Sequence, residues 1–413
     1  MQAAELGPVG AGERTQSAFD LFLIFAGANI VATTLQTGAA LAGGFPVRTA
    51  LLLILAGTLV GSSLVAALAP VGPRLGVPSV IAARAALGIR GAGLVAVLLY
   101  VTNFAWIAVN NVIAASVTAQ ALGLAGSERA WAAALGVAAT AIVARGPRAV
   151  GRADRVAVPL MLVIGVLLTV VCLRLPIPAS TGHPPRAAIH GFDVVVAYQV
   201  SWLLMFADYS RYTRSESRSA VAVFLGLFLT SLWFMPIGLV AAHAAGTIDP
   251  GAMLRATGVG RWGALLLALA TLTTNFVNIY LSSLAWKSLL PRSGDQAVVW
   301  SIGLVGTALS LLSGVWLERY ADFMLVLGSI LVPVGAVLFT HFFLLRHQTR
   351  VADLYDRQGL YAGWGPSPAG VLAWAAGAGA YHLAGRLGGT LASFCVTVAV
   401  YLLLARRLAR HLT

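Results

Sequence analysis

The chain has 413 residues, of which 59% are hydrophobic and only 10% charged. A soluble domain carries about 25% charged residues, so a soluble multidomain enzyme is excluded. The formal charge of +13 comes with no aromatic–basic cluster or zinc-finger spacing, so it does not point to a nucleic-acid partner. At about 20 residues per span, the apolar share fills roughly twelve membrane helices.

In chain order, residues 1–16 are polar, with Glu5, Glu13 and Arg14, and read as a short tail rather than a cleavable signal. The first apolar run, 18–42, contains Asn29, Thr33, Thr34, Gln36 and Thr37. That many polar groups in one span are costly unless they face a cavity or another helix. A second run covers 48–71 and ends in Pro70-Val71-Gly72-Pro73-Arg74. Gly88-Ile89-Arg90-Gly91 reads as a loop before the third run, 92–121.

The third run places Asn103, Trp106 and Asn110 at i, i+3 and i+7, on one helical face. An indole flanked by two amides suits a flat polar heterocycle: the ring stacks and the amides read its edge. The same three residues also fit a packed core Trp with amides bonded to neighbouring helices. Runs at 129–145 and 156–176 follow, separated by Arg145-Gly146-Pro147-Arg148.

The sixth run, 190–207, holds Tyr198-Gln199-Val200-Ser201-Trp202. Polar, interrupted spans five apart are the sequence mark of an inverted-repeat transporter with a site at mid-membrane. After a seventh run at 219–244, the eighth, 262–288, carries Ala270, Thr273, Thr274, Asn275 and Asn278. Two hydroxyls and a carbonyl make an all-oxygen set that suits a small monovalent cation. Threonine bonding back to its own helix is the other reading. Runs at 297–315, 322–346, 364–385 and 388–405 complete the twelve.

Several classes lose support. No span carries Asp or Glu near its middle; Asp20, Asp193 and Asp208 sit towards the ends of runs. His243 and His341 are the nearest candidates for a proton carrier, so sodium is favoured over protons. Cys172 and Cys395 lie in apolar runs and indicate neither disulfide nor metal. No hydrolase, zinc-protease or phosphate-loop motif is present, so no enzyme is expected.

With twelve spans, Arg48, Arg129, Arg174, Arg186, Arg255, Arg261, Arg319 and Arg386 fall on one side, leaving 19 of the 27 cations with the termini. The positive-inside bias then puts both termini in the cytoplasm.

Four stretches carry a resemblance to a known family: Gln36-Thr37-Gly38-Ala39-Ala40-Leu41-Ala42-Gly43, Ala83-Arg84-Ala85-Ala86-Leu87-Gly88-Ile89-Arg90-Gly91, Ala207-Asp208-Tyr209-Ser210-Arg211-Tyr212 and Thr273-Thr274-Asn275. In this order they resemble the nucleobase–cation symport family, in particular bacterial cytosine permeases and their thiamine-precursor and hydantoin relatives. The resemblance covers nearly the whole chain. It implies an all-α polytopic fold of twelve transmembrane helices, a leucine-transporter-like 5+5 inverted repeat plus two C-terminal helices. The repeats would cover about 17–176 and 190–346 within a core of 17–346, followed by a cytoplasmic loop at 347–363 and two extra helices with a basic tail at 364–413.

The resemblance also implies a sodium site on the carbonyls of Gly27, Ile30 and Ala270 and the hydroxyls of Thr273 and Thr274. Substrate would stack on Trp106. It would be read by Asn103 or Asn110, by Tyr198, Gln199, Ser201 and Trp202, and by Asn275 or Asn278. The expected function is sodium-coupled uptake of a nucleobase-like heterocycle such as cytosine, by a monomer in the bacterial inner membrane, with no organic cofactor. A thiamine-precursor or hydantoin-type substrate, proton coupling, and a passive channel or binding-only sensor on the same scaffold are the alternatives.

Overall fold

The computed structural model describes residues 7–175, 187–290, 292–346, 348–365 and 368–409. The expected tail residues 1–6, and Arg186 and Arg410 of the charge count, lie outside the described residues. Among the described residues the regular structure is helical throughout. The main helices are α1 (Ala18–Asn29), α2 (Ala32–Ala39), α3 (Val47–Leu68) and α4 (Arg84–Leu122). Next come α5 (Glu128–Ala144), α6 (Pro147–Cys172), α7 (Ala188–Val200), α8 (Glu216–Ala245) and α9 (Gly260–Leu289). The last four are α10 (Asp295–Ser310), α11 (Tyr320–Phe339), α12 (Ala369–Leu383) and α13 (Gly389–Ala409). Six helices among the described residues are long and apolar enough to cross a membrane, or seven if the bent pair α1–α2 counts as one span.

The first polar run breaks where its polar residues predict trouble. Ile30 (φ −81°, ψ 73°) and Val31 (φ −140°, ψ 162°) leave the helical region, and α1 meets α2 at 58°. The Thr34 N–H then bonds the Val31 carbonyl at 3.0 Å, one residue off the helical register. The Thr34 hydroxyl donates to the Asn29 carbonyl at 2.5 Å, serving a group the break would otherwise strand. Helix α7 likewise gives way at its C-terminal end to a tighter turn over Ser201–Met205.

One sequence expectation is corrected here. Residues 88–91 are not a loop; they lie inside α4, which kinks at Gly88 (φ 71°, ψ 176°). A side chain there would meet the Gly365 backbone nitrogen about 2.0 Å away, so this position needs glycine. The kink frees N–H groups that the sequence could not show to be satisfied. Ile89 N–H bonds the Tyr361 carbonyl at 2.9 Å and Arg90 N–H bonds Gly363 at 2.7 Å, both on a distant connection.

The helices form two packed groups, with α11, α12 and α13 packed on one another and α11 against α7. In one, α8 lies against α1, α2 and α3, and α3 against α7. In the other, α4 lies along α9, α5 and α10. Helices α2 and α8 touch backbone to backbone: a Cβ on Gly38 would fall 1.9 Å from the Met235 carbonyl oxygen, and one on Gly238 1.9 Å from that of Leu35. Such small-residue contact gives membrane helices dense packing where no water drives their association.

Two buried polar residues near the helix ends have structural partners. The Asp193 carboxylate accepts from the first N–H groups of α13, Gly389 at 2.7 Å and Thr390 at 3.0 Å, a favourable place for negative charge. His341 sits in a π-helical turn (Thr340–Leu344) extending α11, and its Nδ1 pairs with the Tyr401 hydroxyl at 3.0 Å. The N-terminal segment is tied down as well. Arg14 donates to the Pro73 carbonyl at 2.5 Å, and Val9 N–H bonds Gly76 at 2.7 Å.

Candidate functional site

A cavity of about 450 Å³ lies where the breaks in α1–α2 and α7 face α4 and α9. Leu23, Ile24, Met205 and Tyr209 line its flank towards the N-terminal side. Helix α11 lines the cavity with Leu327 and Leu331 and packs Phe323 and Tyr320 against Trp106 and α2. The Trp106 ring meets Phe323 edge-on at 5.3 Å and Tyr198 at 6.1 Å. Tyr320 pairs with the Thr37 hydroxyl at 2.9 Å and donates to the Thr33 carbonyl at 3.1 Å, fastening α2 to α11.

Most of the residues singled out in the sequence converge on this cavity. Asn103, Trp106 and Asn110 line it from α4, Tyr198, Ser201 and Trp202 from the α7 break, and Asn278 from α9. Gly27, Ile30, Ala270, Thr273 and Thr274 line it too. Two residues point elsewhere. Gln199 is fully buried against Gly61 and donates to Ser231 at 2.7 Å. Asn275 donates to Asn111 Oδ1 at 2.6 Å, joining α9 to α4 outside the cavity lining. Thr274 and Asn278 are four apart and share a face; Asn275 is rotated about 100° from Thr274.

The polar chemistry of the lining is specific. Asn110 Nδ2 donates to the Trp106 carbonyl at 2.9 Å, and a carbonyl only accepts, so this bond fixes which way the amide faces. Its Oδ1 is left as a buried acceptor without a protein partner. Asn103 Nδ2 and Trp202 Nε1 are buried donors in the same state. An unpaired buried group costs about 1–3 kcal/mol, which a ligand bearing matching groups recovers. The lining includes no Asp, Glu, Lys, Arg or His, so the cavity offers nothing to neutralise a charged organic ligand.

Of the five oxygen-bearing residues expected from the sequence, two are in contact: Thr273 donates to the Ala270 carbonyl at 2.8 Å. Ile30 and Val31 are non-helical, so the Ile30 carbonyl lacks the regular bond from the Thr34 amide. Carbonyls freed at an unwound segment are the kind of neutral oxygen that can ligate a monovalent cation.

Sequence reading missed the contributions of Leu327 and Leu331 from α11 and of Met161 from α6 to the lining. It also missed the loop partnership of Asp208, whose carboxylate accepts from the Ser79 hydroxyl while Ser79 Oγ accepts the Ala207 N–H at 2.9 Å. Desolvation pushes the Asp208 carboxyl above the usual carboxylate range, against the pull of Ser79 and the Arg211 charge. The Asp-Tyr-Ser-Arg-Tyr pattern marked the place; its partner 129 residues earlier was beyond any local signal.

Two helix groups around an uncharged polar cavity at paired helix breaks define a multi-pass membrane transporter. Residues 8–403 match the family described as permease for cytosine/purines, uracil, thiamine, allantoin. The chain belongs to this family. YxlA of Bacillus subtilis (strain 168), which carries the name of a purine-cytosine permease, is 26% identical over 373 residues, 84% of this chain and 81% of YxlA. The cytosine permease of Escherichia coli (strain K12) is 25% identical over 352 residues, 83% of this chain and 81% of the permease.

Among solved structures, the inward-facing conformation of Mhp1 superposes with a TM-score of 0.84 at 19% identity, over 97% of this chain and 93% of that one. Mhp1, a nucleobase-cation-symport-1 family transporter, in a closed conformation with bromovinylhydantoin bound gives 0.81 at 20% identity, over 98% and 96%. At these identities the likeness speaks for the fold.

Proposed function

We propose that this chain is a sodium-coupled symporter that takes up an uncharged planar N-heterocycle of the nucleobase class, such as cytosine, across a bacterial inner membrane. The observation that carries the reading is the cavity itself. It has an indole on one wall, unpaired amide and indole groups around that wall, and no ionisable side chain able to hold a charged organic ligand. The ring stacks on Trp106, offers acceptors to Asn103 Nδ2 and Trp202 Nε1, and gives an N–H to Asn110 Oδ1. A cationic ring such as thiamine would enter without a counter-charge, so neutral rings are preferred.

Sodium is read onto the Gly27, Ile30 and Ala270 carbonyls and the Thr273 and Thr274 hydroxyls. The absence of a carboxylate from the lining favours sodium over protons. Twelve spans in a 5+5 arrangement with two further helices, and both termini in the cytoplasm, complete the reading. In that orientation the cavity flank at Leu23, Ile24, Met205 and Tyr209 faces the cytoplasm.

The test is a thermal-shift screen of the purified protein against cytosine, uracil, hydantoin, allantoin and thiamine, each with sodium or potassium. A ligand that binds only the folded state raises its apparent melting temperature. The reading expects a neutral ring to stabilise more in sodium than in potassium. Stabilisation by thiamine alone, or equal shifts in both salts, would sink it.

A further inference from the structure

The two helix breaks share a single hydroxyl. Asn29 is the last helical residue before the α1 break, and Gln199 is the penultimate residue of α7. Both direct their amide nitrogens onto Ser231 Oγ of α8, each at 2.7 Å. Asn29 also reaches Thr230 Oγ1 at 2.8 Å and the Leu227 carbonyl at 3.3 Å. Asn29, Gln199 and Ser231 are all 0% exposed, so no bulk water competes for these bonds.

Gln199 also has no slack. A Cβ on Gly61 of α3 would stand 2.5 Å from the Gln199 Cβ, which holds that side chain between α3 and α8. A hydroxyl oxygen has two lone pairs and accepts both amides at once. A displacement of either break is therefore felt at the other through one atom.

We infer that Ser231 is a positioning residue that couples the cation site to the substrate site. The inference rests on the sodium-symport reading. Asn29 lies between Gly27 and Ile30, whose carbonyls belong to the proposed cation site. Gln199 adjoins Tyr198 and precedes Ser201 and Trp202, which line the cavity. An ion that draws the α1 break into its bound geometry sets Asn29, and Ser231 carries that setting to Gln199 and the α7 break. Because coupling is reciprocal, a bound ring stabilises the ion-ready α1 break by the same factor.

The experiment is hydrogen exchange on the purified full-length protein, in sodium against potassium at equal ionic strength, for wild type, Ser231→Ala and Ser231→Thr. In wild type, sodium is expected to slow exchange about tenfold in residues 27–34 and in residues 198–206, within the range usual for site–site coupling. In Ser231→Ala the effect at 27–34 persists, while that at 198–206 falls below about twofold. Ser231→Thr retains the hydroxyl and restores it. Undiminished sodium protection of 198–206 in Ser231→Ala overturns the inference, as does a Thr variant that behaves like the Ala variant. Wild type showing no sodium effect at 27–34 would refute the cation site itself, and this inference with it.

Discussion

Asn110 shows how one side chain turns geometry into selectivity. Its nitrogen is committed to the Trp106 carbonyl, so its oxygen faces the cavity as a fixed acceptor. Replacing it by Leu leaves a ring N–H unpaired in a dry site. Substrate affinity should fall about 10- to 100-fold, measured by calorimetry with the best ring from the thermal screen; unchanged affinity would remove Asn110 from the site. Trp106→Ala removes the stacking wall and should abolish measurable uptake while leaving the folded yield intact. Thr273→Ala with Thr274→Ala should retain weak ring binding and lose its dependence on sodium, read as equal dissociation constants in sodium and potassium. The α4 stripe was legible in sequence because helical period alone places Asn103, Trp106 and Asn110 together. Gln199 and Asn275 were misleading for a physical reason: a polar residue in a span must face something, and a neighbouring helix serves as well as a cavity.

At the scale of elements, the two irregular spans announced themselves through their polar composition, and the α1–α2 bend falls within the polar stretch. The Gly88 kink did not, because the groups that satisfy its freed N–H donors lie about 270 residues along the chain. The approach of α2 to α8 was likewise invisible until Gly38 and Gly238 were seen against opposing carbonyls. Gly238→Ala forces a methyl group into the Leu35 backbone and should cost about 1–3 kcal/mol through overpacking. The readout is the apparent melting temperature in detergent; a variant that melts with wild type would show that the helices are not in backbone contact. Helix α2 also carries Thr33 and Thr37, held by Tyr320 of α11, so the same variant should loosen the attachment of α2 to α11.

For the whole molecule, the scarcity of charge and the +13 excess have a common explanation. Charge is kept out of the cavity lining, and the excess cations gather on the side read as cytoplasmic. The helical architecture, and the gathering of Asn103, Trp106 and Asn110 on one cavity wall, could be read from composition and spacing. The grouping of helices around the cavity could not, because it depends on contacts between distant spans. On the proposed function, neutral oxygens at the α1 break make sodium the driving ion for uptake of an uncharged ring. This coupling is tested most directly by reconstituting the protein in vesicles and following radiolabelled ring uptake under an inward sodium gradient or an inward proton gradient. Concentrative uptake is expected with the sodium gradient, collapsing when sodium is equal on both sides, and none with protons alone. Accumulation driven by the proton gradient in sodium-free buffer would contradict it.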